Sequence, residues 1–237
     1  MSSYYDKVVR GTEHEDMLML VQFFKDKVGQ RFSFLGYYKE LPVSYDATLL
    51  SVENEMAEFE VHEYQAKVVN IERTVLIHAP EKAPFTEDIF AEAFYVNVAK
   101  KRVILCKFAY AKICSGMRRF VRVILDKPLD VDLFVEDDIL NGHISDLSLG
   151  GAAMTVASCD LLHGGNELNI ILKLPDISSG RITEVGVTAT VVRIFGESPS
   201  FTCYLQFQPE KHSQQQIAYF INQRQVEIIK ELKELNS

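Results

Sequence analysis

Apolar residues alternate with polar ones through most of the second half of the chain, and this pattern restricts the fold more than any other feature. Val131, Leu133 and Val135 fall on one side, with Asp130, Asp132 and Phe134 on the other. Val185, Val187, Ala189 and Val191 repeat the pattern, as do Phe201, Cys203, Leu205 and Phe207. Successive side chains of a strand point to opposite faces, so a period of two gives each strand one face to bury. Four to six such strands joined by glycine-containing turns (Asn141-Gly142, Gly164-Gly165-Asn166, Ser179-Gly180, Gly196) predict a compact antiparallel barrel.

The first half is patterned differently. Thr12-x-x-Glu15 is a capping-box sequence, and Met17, Leu20, Phe24 and Val28 follow at helical spacing, predicting a helix over Thr12 to Val28 that Gly29 stops. Between Arg31 and Tyr110, short β-prone runs at Ala47–Val52, Met56–Val61, Thr74–His78, Ile89–Val98 and Val103–Tyr110 are separated by turns such as Glu53-Asn54-Glu55. They predict a small barrel or sandwich. Ser115-Gly116 is the expected boundary, giving domains 1–115 and 116–237. Near the C-terminus, Ser213-x-x-Gln216 is a second capping box, and Ile217, Ile221, Ile228, Leu232 and Leu235 mark the seam of a long helix. The expected class is mainly β: two small antiparallel β-barrel domains in tandem, with an N-terminal helix and a long C-terminal helix.

Composition narrows the function. Hydrophobic residues make up 47% and charged residues 24%, which is globular and not disordered. No apolar run is long enough to cross a bilayer, and the N-terminus lacks the apolar core of a secretion signal, so a cytoplasmic protein is expected. Cys106, Cys114, Cys159 and Cys203 form no Cys-x-x-Cys pair and read as reduced thiols. The net charge is −8, with 14 basic against 17 acidic residues in 1–115 and 11 against 16 in 116–237. Both halves repel a polyanion at long range, which argues against nucleic acid as a partner; an anionic ligand needs a local cationic cluster.

The densest such cluster is Met117-Arg118-Arg119-Phe120-Val121-Arg122. One strand-length segment later comes Asp146-Leu147-Ser148-Leu149-Gly150-Gly151. A guanidinium offers a planar fork of donors to a phosphate or to the O6/N7 edge of guanine, and its face stacks on bases. A carboxylate accepts from guanine N–H groups, a serine donates to phosphate oxygen, and glycine admits close backbone approach. Catalytic patterns are missing: there is no His-Glu-x-x-His, P-loop or nucleophile elbow, and the six histidines are scattered. His143 near Asp146 and Ser148 suggests a triad, but residues on one turn and strand rarely meet in triad geometry. Neither an enzyme nor a metal or cofactor site is expected.

Arg118-x-x-x-Arg122 followed by Asp146-x-Ser148-x-x-Gly151 resembles the two-part signature of the PilZ domain, a bacterial receptor for cyclic di-GMP. The resemblance runs from about Met117 to the strand ending near Phe207. It implies a six-stranded barrel in which Arg118, Arg119, Arg122, Asp146, Ser148, Gly150 and Gly151 bind the nucleotide. Arg118 and Arg122 would grip phosphate and guanine. Arg119 would reach a phosphate if the segment wraps the ligand. Asp146 would take a guanine edge, Ser148 would bond a phosphate or order the turn, and the glycines would keep it open. Two positions depart from the family. Met117 stands where some members carry another arginine, and Tyr204 stands where many have a glycine before the apolar, amide and Phe positions filled by Leu205, Gln206 and Phe207. Arg193 is a further possible contact, although an outward strand arginine is the simpler reading.

The N-terminal half resembles, in size, position and β-content, the partner domain that precedes PilZ in flagellar-brake proteins. The implied function is a non-enzymatic cyclic di-GMP effector that changes inter-domain arrangement and signals to motility, biofilm or exopolysaccharide machinery through a protein partner. A ligand-independent interaction adaptor and a ligand-gated nucleic-acid-binding regulator are the alternatives. A homodimer through the C-terminal helix is a further expectation.

Overall fold

A computed structural model of the chain describes residues 4–114, 119–135, 138–176, 179–198 and 200–235. The chain divides by internal contacts into two compact units. The first comprises Met1–Tyr38, Pro42–Arg118 and Lys230–Ser237; the second comprises Lys39–Leu41 and Arg119–Ile229. The expected boundary at Ser115-Gly116 lies outside the described residues.

In the first unit, β1 (Tyr5–Val8), β2 (Arg31–Tyr38), β3 (Leu41–Glu53), β4 (Met56–Glu60), β5 (Thr74–Ile77), β6 (Asp88–Asn97) and β7 (Arg102–Ile113) form a sheet of order β1-β7-β4-β3-β2-β5-β6. A further β6–β7 pairing closes the sheet on itself. Helix α1 (Glu13–Lys25) begins as its sequence indicates: the Thr12 hydroxyl accepts from the Glu15 amide, and the Glu15 carboxylate accepts from the Thr12 amide. It ends earlier than expected, capped at Asp26, while Gly29 takes a positive φ of 85° beyond it. Leu20 and Phe24 are buried with Phe32, Phe34, Phe59 and Phe108, and Val28 is exposed. Phe24 packs on Phe108 and edge-on to Phe32 and Phe59, arrangements that add to what area burial alone supplies.

Helix α2 (Glu63–Glu72) was not expected from the sequence. His62 caps it, its Nδ1 accepting from the Tyr64 amide at 3.2 Å, and Arg73 ends it at φ 59°. Neither residue is among the usual cap or stop residues. The helix survives because Ala66, Val68 and Val69 are fully buried, and tertiary burial outweighs weak capping.

In the second unit, β8 (Arg122–Val135), β9 (Asp138–Ser148), β10 (Gly151–Val156), β11 (Glu167–Pro175), β12 (Ile182–Glu197) and β13 (Ser200–Gln208) close into a barrel of order β10-β13-β12-β11-β8-β9, every pair antiparallel. Of the expected inward residues, Val131, Leu133, Val135, Val185, Val187, Ala189, Val191, Cys203, Leu205 and Phe207 are buried, and Phe201, near the start of β13, is only half-buried. Asn141-Gly142 is not the turn it was expected to be. It lies within β9, where a Cβ on Gly142 would stand 2.8 Å from the Met154 sulfur of β10. Glycine there makes room for a neighbouring strand's bulky side chain.

Helix α3 (Lys211–Glu234) starts before Ser213, so Ser213 is not its cap; the hydroxyl instead donates to the Gly186 carbonyl at 2.8 Å. Ile217, Phe220 and Ile221 are buried, as is Arg224. Arg224 donates from Nε to the Ile124 carbonyl at 3.2 Å and pairs with Asp126, fixing α3 to β8. Lys39 pairs with the same carboxylate at 2.8 Å, and these two cations, Lys39 first, hold Asp126 below the usual carboxylate range.

Candidate functional site

The strand register decides which of the signature side chains can act together. Arg122 opens β8 opposite Ser148, Val123 faces Leu147, and Ile124 faces Asp146. Val123 and Leu147 are fully buried inside the barrel. Their neighbours Arg122, Ser148, Ile124 and Asp146 therefore lie on the outer face, because directly opposed residues share a side. On that face Arg122 Nη1 lies 3.4 Å from Asp146 Oδ2. The other carboxylate oxygen, Oδ1, accepts from the Ala153 amide at 3.2 Å, which holds the carboxylate against β10.

A guanidinium and carboxylate that are 29% and 18% exposed form only a modest pair. Pairs of this kind contribute about 0–1 kcal/mol, and 3.4 Å is longer than a good charge-assisted bond. The contact is cheap to open. It keeps a fork of donors and an acceptor side by side, at the spacing needed to meet a molecule with both an anionic group and donor edges.

The turn between β9 and β10 is built around its glycines. A Cβ on Gly151 would come 2.1 Å from the Leu205 carbonyl oxygen of β13, so any larger residue forces two strands apart. A Cβ on Gly150 would meet the Phe120 ring at 2.8 Å, which shows that the ring lies directly on the turn. The Gly150 carbonyl accepts from the Phe207 amide at 3.0 Å. Ser148 is buried, and its hydroxyl donates to the Gly151 carbonyl at 3.0 Å. Of the two roles expected for it, ordering the turn is the one its hydrogen bond performs. Arg119 is exposed, with its guanidinium 5.3 Å from the Phe120 ring centre. Arg118 lies outside the described residues.

Arg122, Asp146, Ser148, Gly150 and Gly151 are thus brought together at one end of the barrel's outer face, with Arg119 beside them on the segment leading into β8. Phe120, which is not among the expected ligand contacts, covers the turn. His143 takes no part in a triad: its Nδ1 lies 3.0 Å from Asp130, and both side chains are largely in solvent. Among the described residues, no three His, Cys, Asp or Glu side chains cluster at metal-binding distance.

Three comparisons bear on identity. No curated protein matches the chain. Several solved structures are distantly similar. The Bacillus subtilis inhibitor of motility MotI/DgrA shares 18% identity, covering 84% of this chain and 97% of its own, with a TM-score of 0.44. Escherichia coli YcgR in complex with c-di-GMP shares 11% identity, covering 98% and 97%, at 0.44. The K. pneumonia MrkH–c-di-GMP complex shares 15% identity, covering 95% and 100%, at 0.46. Over residues 117–223, the stretch that contains the arginine cluster, the Asp-x-Ser-x-x-Gly turn and all six barrel strands, this chain matches the PilZ domain family.

Proposed function

We propose that the protein is a cyclic di-GMP-binding effector that acts by binding, without catalysis and without a metal or other cofactor. One observation carries the reading: Arg122 and Asp146 stand side by side on the outer barrel face, beside a turn whose Gly150 and Gly151 leave room for the Phe120 ring and the Leu205 carbonyl. The guanidinium suits a phosphate or the Hoogsteen edge of guanine, and the carboxylate suits guanine N–H donors. Arg118 and Arg119, adjacent in sequence, supply further cations for the second phosphate, and the Ser148 hydroxyl orders the turn. A local cluster is what an anionic ligand requires on a chain of net charge −8.

The chain is read as two domains, 1–115 and 116–237, the first of the flagellar-brake partner type. The arginines sit on the segment that joins the two. Ligand held by that segment and by the barrel favours whichever arrangement of the chain completes its site, and the resulting population shift presents a new surface to a protein partner in motility, biofilm or exopolysaccharide machinery. The setting is cytoplasmic. Ile217, Ile221, Ile228 and Leu232 of α3 are already buried within the single chain, which leaves Tyr219, Val226 and Ile229 as the exposed apolar residues available to a second copy.

Calorimetric titration of the purified protein with a panel of cyclic dinucleotides tests the reading. Cyclic di-GMP should bind, and Arg122→Ala and Asp146→Ala should each lose affinity with the fold intact. Equal binding by parent and both variants would remove the site assignment.

A further inference from the structure

The strand end that carries Arg122 is nearly cut off from the rest of β8. Arg122, Val123 and Ile124 pair with Ser148, Leu147 and Asp146 of β9. Pairing resumes at Leu129 opposite Ile144, so Leu125, Asp126, Lys127 and Pro128 run against the single residue Ser145. That is a wide bulge, and Pro128 has no amide to give to the ladder. A short strand end beyond such a break has few backbone bonds and frays unless something else holds it. It is also the end on which the ligand site depends. Ile124 lies directly opposite Asp146, and Arg122 stands two residues away on the same face.

Arg224 of α3 holds this end. It occupies a position in the buried stripe of Ile217, Phe220, Ile221 and Ile228, and it is only 6% exposed. Its Nε donates to the Ile124 carbonyl at 3.2 Å, Nη2 pairs with Asp126 inside the bulge, and Nη1 donates to Glu227 at 3.0 Å. One guanidinium therefore grips a carbonyl before the bulge and a carboxylate within it, which takes a planar fork of donors. Stability alone does not call for a charge here, because an apolar side chain of similar volume often matches or betters a buried ion pair. What the arginine adds is position.

We infer that Arg224 is a positioning residue for the ligand site. By bonding Ile124 and Asp126 it keeps the first three residues of β8 in register with β9, so that the Arg122 guanidinium and the Asp146 carboxylate stand side by side before a ligand arrives. Arg224 itself touches no ligand. A strand end that is already ordered spares binding the cost of ordering it. The inference rests on the proposed function and deepens it, since it makes nucleotide affinity depend on a side chain of α3.

Two measurements on the full chain test it. In the ligand-free protein, Arg224→Met should speed amide hydrogen exchange at Arg122, Val123 and Ile124 about tenfold, with the other barrel strands little changed. In calorimetry with cyclic di-GMP, Arg224→Met should weaken binding about tenfold, while Val187→Ala, a core truncation in β12, should bind like the parent. The losses in Arg122→Ala and Arg224→Met should not multiply in the double variant, because Arg224 acts through the strand that carries Arg122. Fully multiplied losses, or unchanged exchange at the three amides, would overturn the inference. Should Arg224→Met fail to fold, Arg224→Lys takes its place: it keeps a cation for Asp126 but lacks the fork, and parent-like affinity in it overturns the inference. If the parent binds no cyclic dinucleotide, the proposed function fails and the inference with it. If the parent binds and Arg224→Met binds equally well, the inference alone fails.

Discussion

Arg122 Nη1 and Asp146 Oδ2 are 3.4 Å apart on the outside of the barrel, with the second carboxylate oxygen tied to the Ala153 amide. The carboxylate is therefore oriented by the backbone, and the guanidinium is only lightly restrained by it. Removing either side chain should cost binding far more than folding. Arg122→Ala is expected to weaken cyclic di-GMP binding by tenfold or more, the equivalent of about 1.5–3 kcal/mol for a charge-assisted contact. Its urea midpoint should move by no more than about 1 kcal/mol of stability, since exposed pairs contribute little. Parallel titration and denaturation of the same variant make the comparison.

Gly151 should behave in the opposite way. Its missing Cβ leaves room for the Leu205 carbonyl, 2.1 Å from where that carbon would sit. Gly151→Ala has to push β13 away from β10, and overpacking of this kind costs about 1–3 kcal/mol. A urea midpoint equal to the parent's would mean that the turn yields without cost.

Cys203 is fully buried in the barrel, and burial first, with Cys159 second, pushes its thiol up to about 11. The thiolate is the reactive form, so Cys203 should stay silent toward Ellman's reagent near pH 8 in the native protein and react only on unfolding. Cys106, Cys114 and Cys159 are all partly exposed. Mass spectrometry of briefly labelled protein should therefore find Cys203 last, and its early modification would show that the barrel opens readily.

Asp126 links acid stability to the hold on α3. Lys39 and then Arg224 depress its ionisation in the folded chain. A depressed carboxylate contributes stability above its unfolded value, about 3.9, and that contribution is lost as pH falls through the folded value. The parent should therefore exceed Asp126→Asn in melting temperature at neutral pH, and the gap should close below about pH 4. The effect should be small, because half of the side chain is in water and screening weakens the pairs. A gap that widens on acidification would contradict the sign.

Much of the barrel was legible because strand alternation is a local signal. Val131 to Val135 and Val185 to Val191 state their buried face within a few residues, and the buried positions match them. The Thr12–Glu15 cap was legible for the same reason: both partners lie within one turn. Helix α2 was not, because His62 and Arg73 give weak end signals and its stability comes from burial of Ala66, Val68 and Val69. Gly142 was misread as a turn because glycine at a strand position answers to a neighbour, Met154, that sequence proximity does not reveal.

The chemistry available to the site was set by the sequence alone: which side chains are forks of donors, which are acceptors, and where the backbone is bare. The tertiary structure decided who stands beside whom. It placed Arg122 against Asp146, folded Phe120 over Gly150, and turned the Ser148 hydroxyl onto the Gly151 carbonyl. The reason is that period-two patterning fixes a side chain's face but not its partner. Partners follow from register, which is set by the turns, bulges and barrel closure that join strands far apart in the chain.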